Sequence, residues 1–127
     1  LKLLLDTHIL IWAAEGSRLP KTVITAMEDT DNELFFSVVS IWEFVIKTSL
    51  GREGIKGEGA LLRDGLLASG YRELEVTAAH VLGVRDLPPI HGDPFDRLLL
   101  AQSRVEGLIF LTADATIARY PSNVMKV

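Results

Sequence analysis

Short apolar runs alternate with longer amphipathic stretches along this chain. Lys2-Leu3-Leu4-Leu5 is cut off by Asp6, and an apolar run this short reads as a buried strand. Residues 7–14 read as a short helix, closed by Gly16 and Pro20. Residues 21–30 read as a polar-faced helix carrying Val23, Ile24, Ala26 and Met27. Leu34-Phe35-Phe36 predicts a second strand, and residues 38–50 a strongly apolar helix that Gly51 terminates. Further along, the pattern predicts a helix over 60–68, a strand over 73–76 and a helix over 77–84. Pro88-Pro89 forces extended backbone. Asp93-Pro94 is an N-cap signature that opens a helix over 94–106. A strand over 108–111, a short helix over 115–120 and an edge strand over 124–127 complete the series. Strands alternating with helices predict a mainly parallel sheet covered by helices on both faces. Residues 51–59, rich in glycine and charge, read as an exposed loop rather than a linker between domains.

Composition narrows the classes. The 127 residues suit a single domain over 1–127, and 48% hydrophobic content is enough for one sizeable core. The absence of cysteine excludes disulfides, thiolate zinc sites and cysteine nucleophiles. No apolar run reaches the ~18 residues of a membrane span. Residues 9–14 lack the basic flank and cleavage site of a signal peptide. The expectation is a cytoplasmic protein with no membrane partner. A net charge of −4 does not favour non-specific binding to nucleic acid, although bound cations and local patches set the field at any one site.

Five acids stand at informative positions, and each has a structural explanation of its own. Asp6 ends the first strand, where ligands collect in open α/β sheets, but it could simply cap the next helix. Ser40-x-x-Glu43 fits a capping box, and Glu43 with Lys47 fits an i,i+4 ion pair. Neither explains why Ser40, Glu43 and Lys47 form a polar stripe on so apolar a helix. Asp93 reads mainly as a cap. Asp96 falls in the first helical turn, where the dipole favours an acid by ~0.3–1 kcal/mol. Asp114 lies just past the fourth strand and could cap residue 115 onward. Together they say more. In a parallel sheet, strand C-termini and helix N-termini share one edge, so Asp6, Asp96 and Asp114 converge. Two carboxylates ~5 Å apart repel by about 3 kcal/mol at an effective dielectric of ~20. Such a cluster calls for protons or a cation, and all-oxygen ligands select Mg²⁺ or Mn²⁺. The histidines are too scattered for a zinc site, with His80 read as a satisfied helix residue. Trp12 and Trp42 read as core, and no aromatic ladder for base stacking is visible.

Four segments resemble the PIN-domain family, and within it the toxin ribonucleases of VapBC-type toxin–antitoxin systems. They are Leu5-Asp-Thr-His-Ile-Leu-Ile-Trp12, Ser37-Val-Val-Ser-Ile-Trp-Glu-Phe-Val-Ile-Lys47, His91-Gly-Asp-Pro-Phe-Asp-Arg-Leu-Leu-Leu-Ala-Gln102 and Leu111-Thr-Ala-Asp114. Departures are slight: Ser103 stands where alanine is common and Leu19-Pro20 where Leu-Ser is common. The resemblance implies a three-layer α/β/α fold and a metal-binding quartet of Asp6, Glu43, Asp96 and Asp114. It also implies RNA as substrate, a homodimer and a small antitoxin partner.

The reading that follows is a Mg²⁺- or Mn²⁺-dependent endoribonuclease using one or two ions and metal-activated water. In-line attack would leave a 5′-phosphate and a 3′-hydroxyl. Thr7, Ser40, Asp93 and Thr112 would hold the acids in place, and Lys47, Arg52, Lys56 and Arg97 would meet phosphates. The rivals are an inactive PIN-like partner-binding module, a DNA-directed nuclease and a receiver-type phosphoacceptor domain. The last would need adjacent acids after the first strand and an acceptor aspartate ending a middle strand.

Overall fold

The first strand, β1 (Lys2–Leu5), takes the centre of the sheet because its leucines are apolar on both faces. The computed structural model describes residues 1–16, 19–51, 56–121 and 123–127. Arg52, expected at phosphates, lies outside the described residues. From β1 the chain runs through α1 (Thr7–Glu15), α2 (Lys21–Glu28), β2 (Glu33–Ser37), α3 (Val38–Ser49) and α4 (Gly59–Ala68). It continues through β3 (Arg72–Leu74), α5 (Ala78–Gly83), α6 (Pro94–Glu106), β4 (Ile109–Thr112) and β5 (Val124–Lys126). The strand order is β3-β2-β1-β4-β5, and every pairing is parallel. Alternation along β1 splits the core. Leu3 and Leu5 pack with Ile9, Leu10 and Phe36 on one face, while Leu4 packs with Leu99, Leu100 and Phe110 on the other. The result is a three-layer α/β/α sandwich, as expected.

Several boundaries move for identifiable reasons. β2 extends to Ser37 and runs straight into α3, whose N-cap is Ser37; its hydroxyl accepts from the Val39 amide at 3.0 Å. Ser40 is therefore inside the helix, and the capping box expected of Ser40 and Glu43 does not form. Gly51 takes the left-handed conformation expected beyond the helix end, with φ of 63°. β3 ends at Leu74, two residues earlier than predicted, because the Glu75 carbonyl accepts from the Gln102 side chain at 3.2 Å. Thr77 caps α5 through a capping box whose other half is the His80 ring. The helix expected over 115–120 shrinks to a single 3₁₀ turn at Ile117–Arg119.

The third strand lies at the sheet edge, and the order differs from the flavodoxin-like order of receiver domains. That removes the phosphoacceptor reading. Trp42 is a second correction: it is 55% exposed, stacked edge-on against Phe95 at 4.8 Å, and is not core. Ile9 and Ile11 are buried in the core. Exposed apolar side chains lie instead on α3, at Val38, Trp42 and Val45. Among the described residues no helix is long and apolar enough to cross a membrane.

Candidate active site

The strand order reverses between β1 and β4, so a crevice opens beyond their C-terminal ends. Ligands bind at such switch points in open parallel sheets. Asp6 follows β1 there. Its amide donates to the Leu111 carbonyl at 2.9 Å, continuing the ladder one residue past β1. Asp6 occupies the N-cap position of α1 but makes no side-chain cap bond of ordinary geometry, and the His8 amide is the weakest influence on its carboxyl. Its Oδ2 instead accepts from the Thr112 hydroxyl of β4 at 2.7 Å. That hydroxyl oxygen in turn accepts from the Asp114 amide at 3.0 Å. Asp114 is exposed and uses Oδ1 to accept from the amides of Thr116 and Ile117, at 2.7 and 3.1 Å. The capping reading of Asp114 thus holds for one of its oxygens. Asp6 and Asp114 share a pocket of about 220 Å³ with His8, Trp12 and Ala113.

α3 packs against α1, α4 and α6, and its buried side carries Val39, Ser40, Glu43 and Phe44. Ser40 and Thr7 hydroxyls meet at 2.8 Å and lock α3 to the start of α1. Thr7 and Ser40 therefore hold helices, and through them the acids. Glu43 is 2% exposed, and its Oε2 lies 3.0 Å from the Lys47 ammonium. Lys47 also lies 3.5 Å from His8 Nε2. It is turned inward onto Glu43.

α6 supplies the third acid. Asp93 caps it as predicted, with Oδ1 accepting from the Phe95 and Asp96 amides at 2.8 and 3.2 Å. Asp96, one turn in, is buried, and its Oδ2 pairs with His91 Nε2 at 2.8 Å. Arg97, also expected at phosphates, is engaged within the fold. Its guanidinium donates to the carbonyls of Val84, Leu87, Pro88 and His91 and to the Tyr120 hydroxyl. It pins the loop before α6. Lys56 is exposed.

The electrostatics identify three of the acids as neighbours. Burial raises the Asp6 carboxyl above its usual range, Thr112 and His8 oppose the rise, and the Glu43 charge adds to it. Asp96 is pushed up to about 7, first by burial and then by the charge of Asp6; His91 opposes this, and Asp93 and Glu43 add to it. Like charges in a desolvated site raise one another's pKa in this way. Asp6 Oδ1 and Glu43 Oε1 are also buried with no hydrogen-bond partner among the described residues. An orphaned buried carboxylate oxygen costs several kcal/mol unless something else binds it. Each of the four acids has one oxygen fixed by a protein group. In Asp6 and Glu43 the other is buried and unclaimed. This donor set fits a hard divalent cation.

Sequence reasoning missed His91. The spacing His91-x-Asp93-x-x-Asp96 around a helix start was the available signal. His80 behaves as expected. Its Nδ1 accepts from the Thr77 amide at 3.0 Å, so Nε2 carries the hydrogen and donates to Glu106 at 2.7 Å.

The fold has close relatives in shape. A chain of the VapBC2 complex from Rickettsia felis, bound to a promoter DNA fragment, superposes with a TM-score of 0.74 at 14% identity, covering 100% of this chain and 99% of that one. DNA-bound VapBC from Salmonella typhimurium gives 0.72 at 14% identity, covering 99% and 98%. A toxin–antitoxin complex from Klebsiella pneumoniae gives 0.67 at 16%, covering 98% and 96%. At such identities the likeness speaks for the fold. No curated protein matches the sequence. The PIN domain family model matches residues 3–123, from β1 to the residue before β5 and across all four acids, and the chain belongs to the PIN-domain family.

Proposed function

We propose that this chain is a divalent-metal-dependent endoribonuclease, the toxin of a toxin–antitoxin pair. The observation that carries this reading is the pair of buried, unpartnered oxygens, Asp6 Oδ1 and Glu43 Oε1, beside Asp96 at the switch point of the sheet. In a module that held no cation, protonation and the Lys47 ion pair would be left to offset these buried charges, and neither gives Asp6 Oδ1 or Glu43 Oε1 a partner. Mg²⁺ or Mn²⁺ held by Asp6, Glu43, Asp96 and Asp114 would activate a water and neutralise charge on the phosphate. The chain's own part is positioning. Thr112 fixes Asp6 against β4, Lys47 fixes Glu43, and Asp93 fixes the start of α6 beneath Asp96. Lys56, with Arg52, supplies positive charge for the RNA backbone. The test is cleavage of RNA and of DNA by pure protein. RNA cleavage should need Mg²⁺ or Mn²⁺, stop with EDTA and disappear in Asp6→Asn and Glu43→Gln. Full cleavage in excess EDTA would overturn the metal mechanism, and preferential cleavage of DNA would overturn the substrate.

The likeness to complexes named VapBC and toxin–antitoxin supports a small antitoxin as partner and a cytoplasmic setting. The exposed Val38, Trp42 and Val45 stripe supports a homodimer through α3. Light scattering that shows only monomer across a wide concentration range would refute the dimer.

A further inference from the structure

We infer that His91 is itself a metal ligand. On this inference the centre is a mixed nitrogen–oxygen site that takes Mn²⁺ in preference to Mg²⁺. The inference rests on the metal-dependent reading above and extends it to a residue outside the carboxylate quartet.

The geometry is that of a half-built coordination sphere. His91 Nε2 lies 2.8 Å from Asp96 Oδ2. With one carboxylate oxygen of Asp93, these ligand atoms all fall within 4.8 Å of one another. Metal–ligand bonds of about 2.1 Å place cis ligand atoms about 3.0 Å apart and trans atoms about 4.2 Å apart. The His91–Asp96 separation is close to a cis pair, and a span of up to 4.8 Å is somewhat wider than a trans pair, so one octahedral ion would draw the three atoms together. The backbone that carries the ring is also held in place. The His91 amide donates to the Tyr120 hydroxyl at 2.8 Å, and the His91 carbonyl accepts from that hydroxyl at 3.2 Å and from Arg97 at 3.4 Å. The side chain is 24% exposed, so an ion can reach it. A second observation points to a ligand beside Asp96. Asp6, whose charge bears on Asp96, carries a buried oxygen with no partner.

The choice of metal follows from the donor type. Mg²⁺ prefers oxygen and keeps its waters. Imidazole suits transition metals, whose affinities for nitrogen sites exceed those of the hard alkaline-earth ions. Coordination needs the Nε2 lone pair, with the ring hydrogen on Nδ1.

The experiment is pulsed electron paramagnetic resonance on protein loaded with Mn²⁺, with calorimetric titration of Mn²⁺ and Mg²⁺. Wild-type protein should show the modulation of a directly bound ¹⁴N. His91→Gln, which keeps an N–H donor for Asp96 but removes the imidazole, should lose it. His8→Gln should keep it, since His8 is the other ring at the pocket. His91→Gln should weaken Mn²⁺ at least tenfold and Mg²⁺ much less, lowering the preference between them. If Mn²⁺ binds wild-type protein without a ¹⁴N signal, His91 is not a ligand, and the metal-dependent reading still stands. If His91→Gln weakens both ions equally and the wild type shows no nitrogen, His91 only positions Asp96. If neither ion binds saturably, both the inference and the underlying reading fall.

Discussion

Replacing Asp96 by Asn should stabilise the metal-free protein at neutral pH and destabilise its metal complex. Asp96 is pushed up from the ordinary 3.8 to about 7, with burial the first cause and the Asp6 charge the second. A carboxyl with a raised folded-state pKa binds its proton more tightly folded than unfolded. Its contribution is therefore fully present below pH ~4 and lost as pH rises through ~7. Three pH units at 1.36 kcal/mol each set a ceiling of about 4 kcal/mol on that loss. Asn keeps the shape and carries no charge. In EDTA at pH 8, Asp96→Asn should exceed wild type by roughly 2–4 kcal/mol, less about 1 kcal/mol for a weaker bond to His91. The advantage should shrink to nothing near pH 4. Mg²⁺ at one hundred times its Kd would add about 2.7 kcal/mol to wild type, and far less to the variant. Cleavage by the variant should fall at least a hundredfold, about 2.7 kcal/mol of barrier. The assay is thermal unfolding of both proteins from pH 4.5 to 8.5, with EDTA and with Mg²⁺, beside RNA cleavage. Parallel stability curves across that range would refute the repulsion argument. Wild-type cleavage by the variant would remove Asp96 from the active site.

Asp93→Asn should leave stability within about 0.5 kcal/mol, because Asn caps nearly as well, while Asp93→Ala should cost about 1 kcal/mol; urea unfolding distinguishes them, and Asp93→Asn should impair cleavage far less than Asp96→Asn. Arg97→Ala strips donors from partly buried acceptors at Val84, Leu87, Pro88, His91 and Tyr120, and should cost roughly 2–3 kcal/mol in the same assay. Trp42→Ala should cost under about 1.5 kcal/mol, well short of the ~3–5 kcal/mol of a core tryptophan, and should shift any dimer seen by light scattering toward monomer.

The order of elements was legible because period-2 and period-3.6 patterns are local, and the parallel sheet followed from their alternation. That Asp6, Asp96 and Asp114 stand on one edge was expected for the same reason, since a parallel sheet gathers strand ends and helix starts there, whereas Glu43 joined them only through the family resemblance. Contacts made by loops were not. Nothing local to Arg97 announces that its acceptors lie in the segment before α6, and His91 reaches Asp96 only because that segment folds back over Tyr120. Element boundaries slipped where one tertiary bond outweighed propensity, as at Glu75, whose carbonyl is taken by Gln102.

α3 shows why the face of an apolar helix is hard to assign, and why that difficulty is itself informative. Its buried side carries Ser40 and Glu43 beside Val39 and Phe44, while Val38, Trp42 and Val45 are exposed. Hydrophobicity alone would turn the helix over and place Trp42 inside. Three polar contacts oppose that rotation: Ser37 caps the helix, Ser40 bonds Thr7, and Lys47 holds Glu43. They do not by themselves recover the free energy of exposing a tryptophan and burying a carboxylate with one oxygen unclaimed. The balance closes if Glu43 Oε1 acquires a cation and Trp42 acquires a neighbour. The two departures from the hydrophobic pattern thus mark the two functions proposed for this helix, a metal ligand on its inner face and a protein contact on its outer one. This conflict between local pattern and packed structure is what a functional site leaves in a sequence.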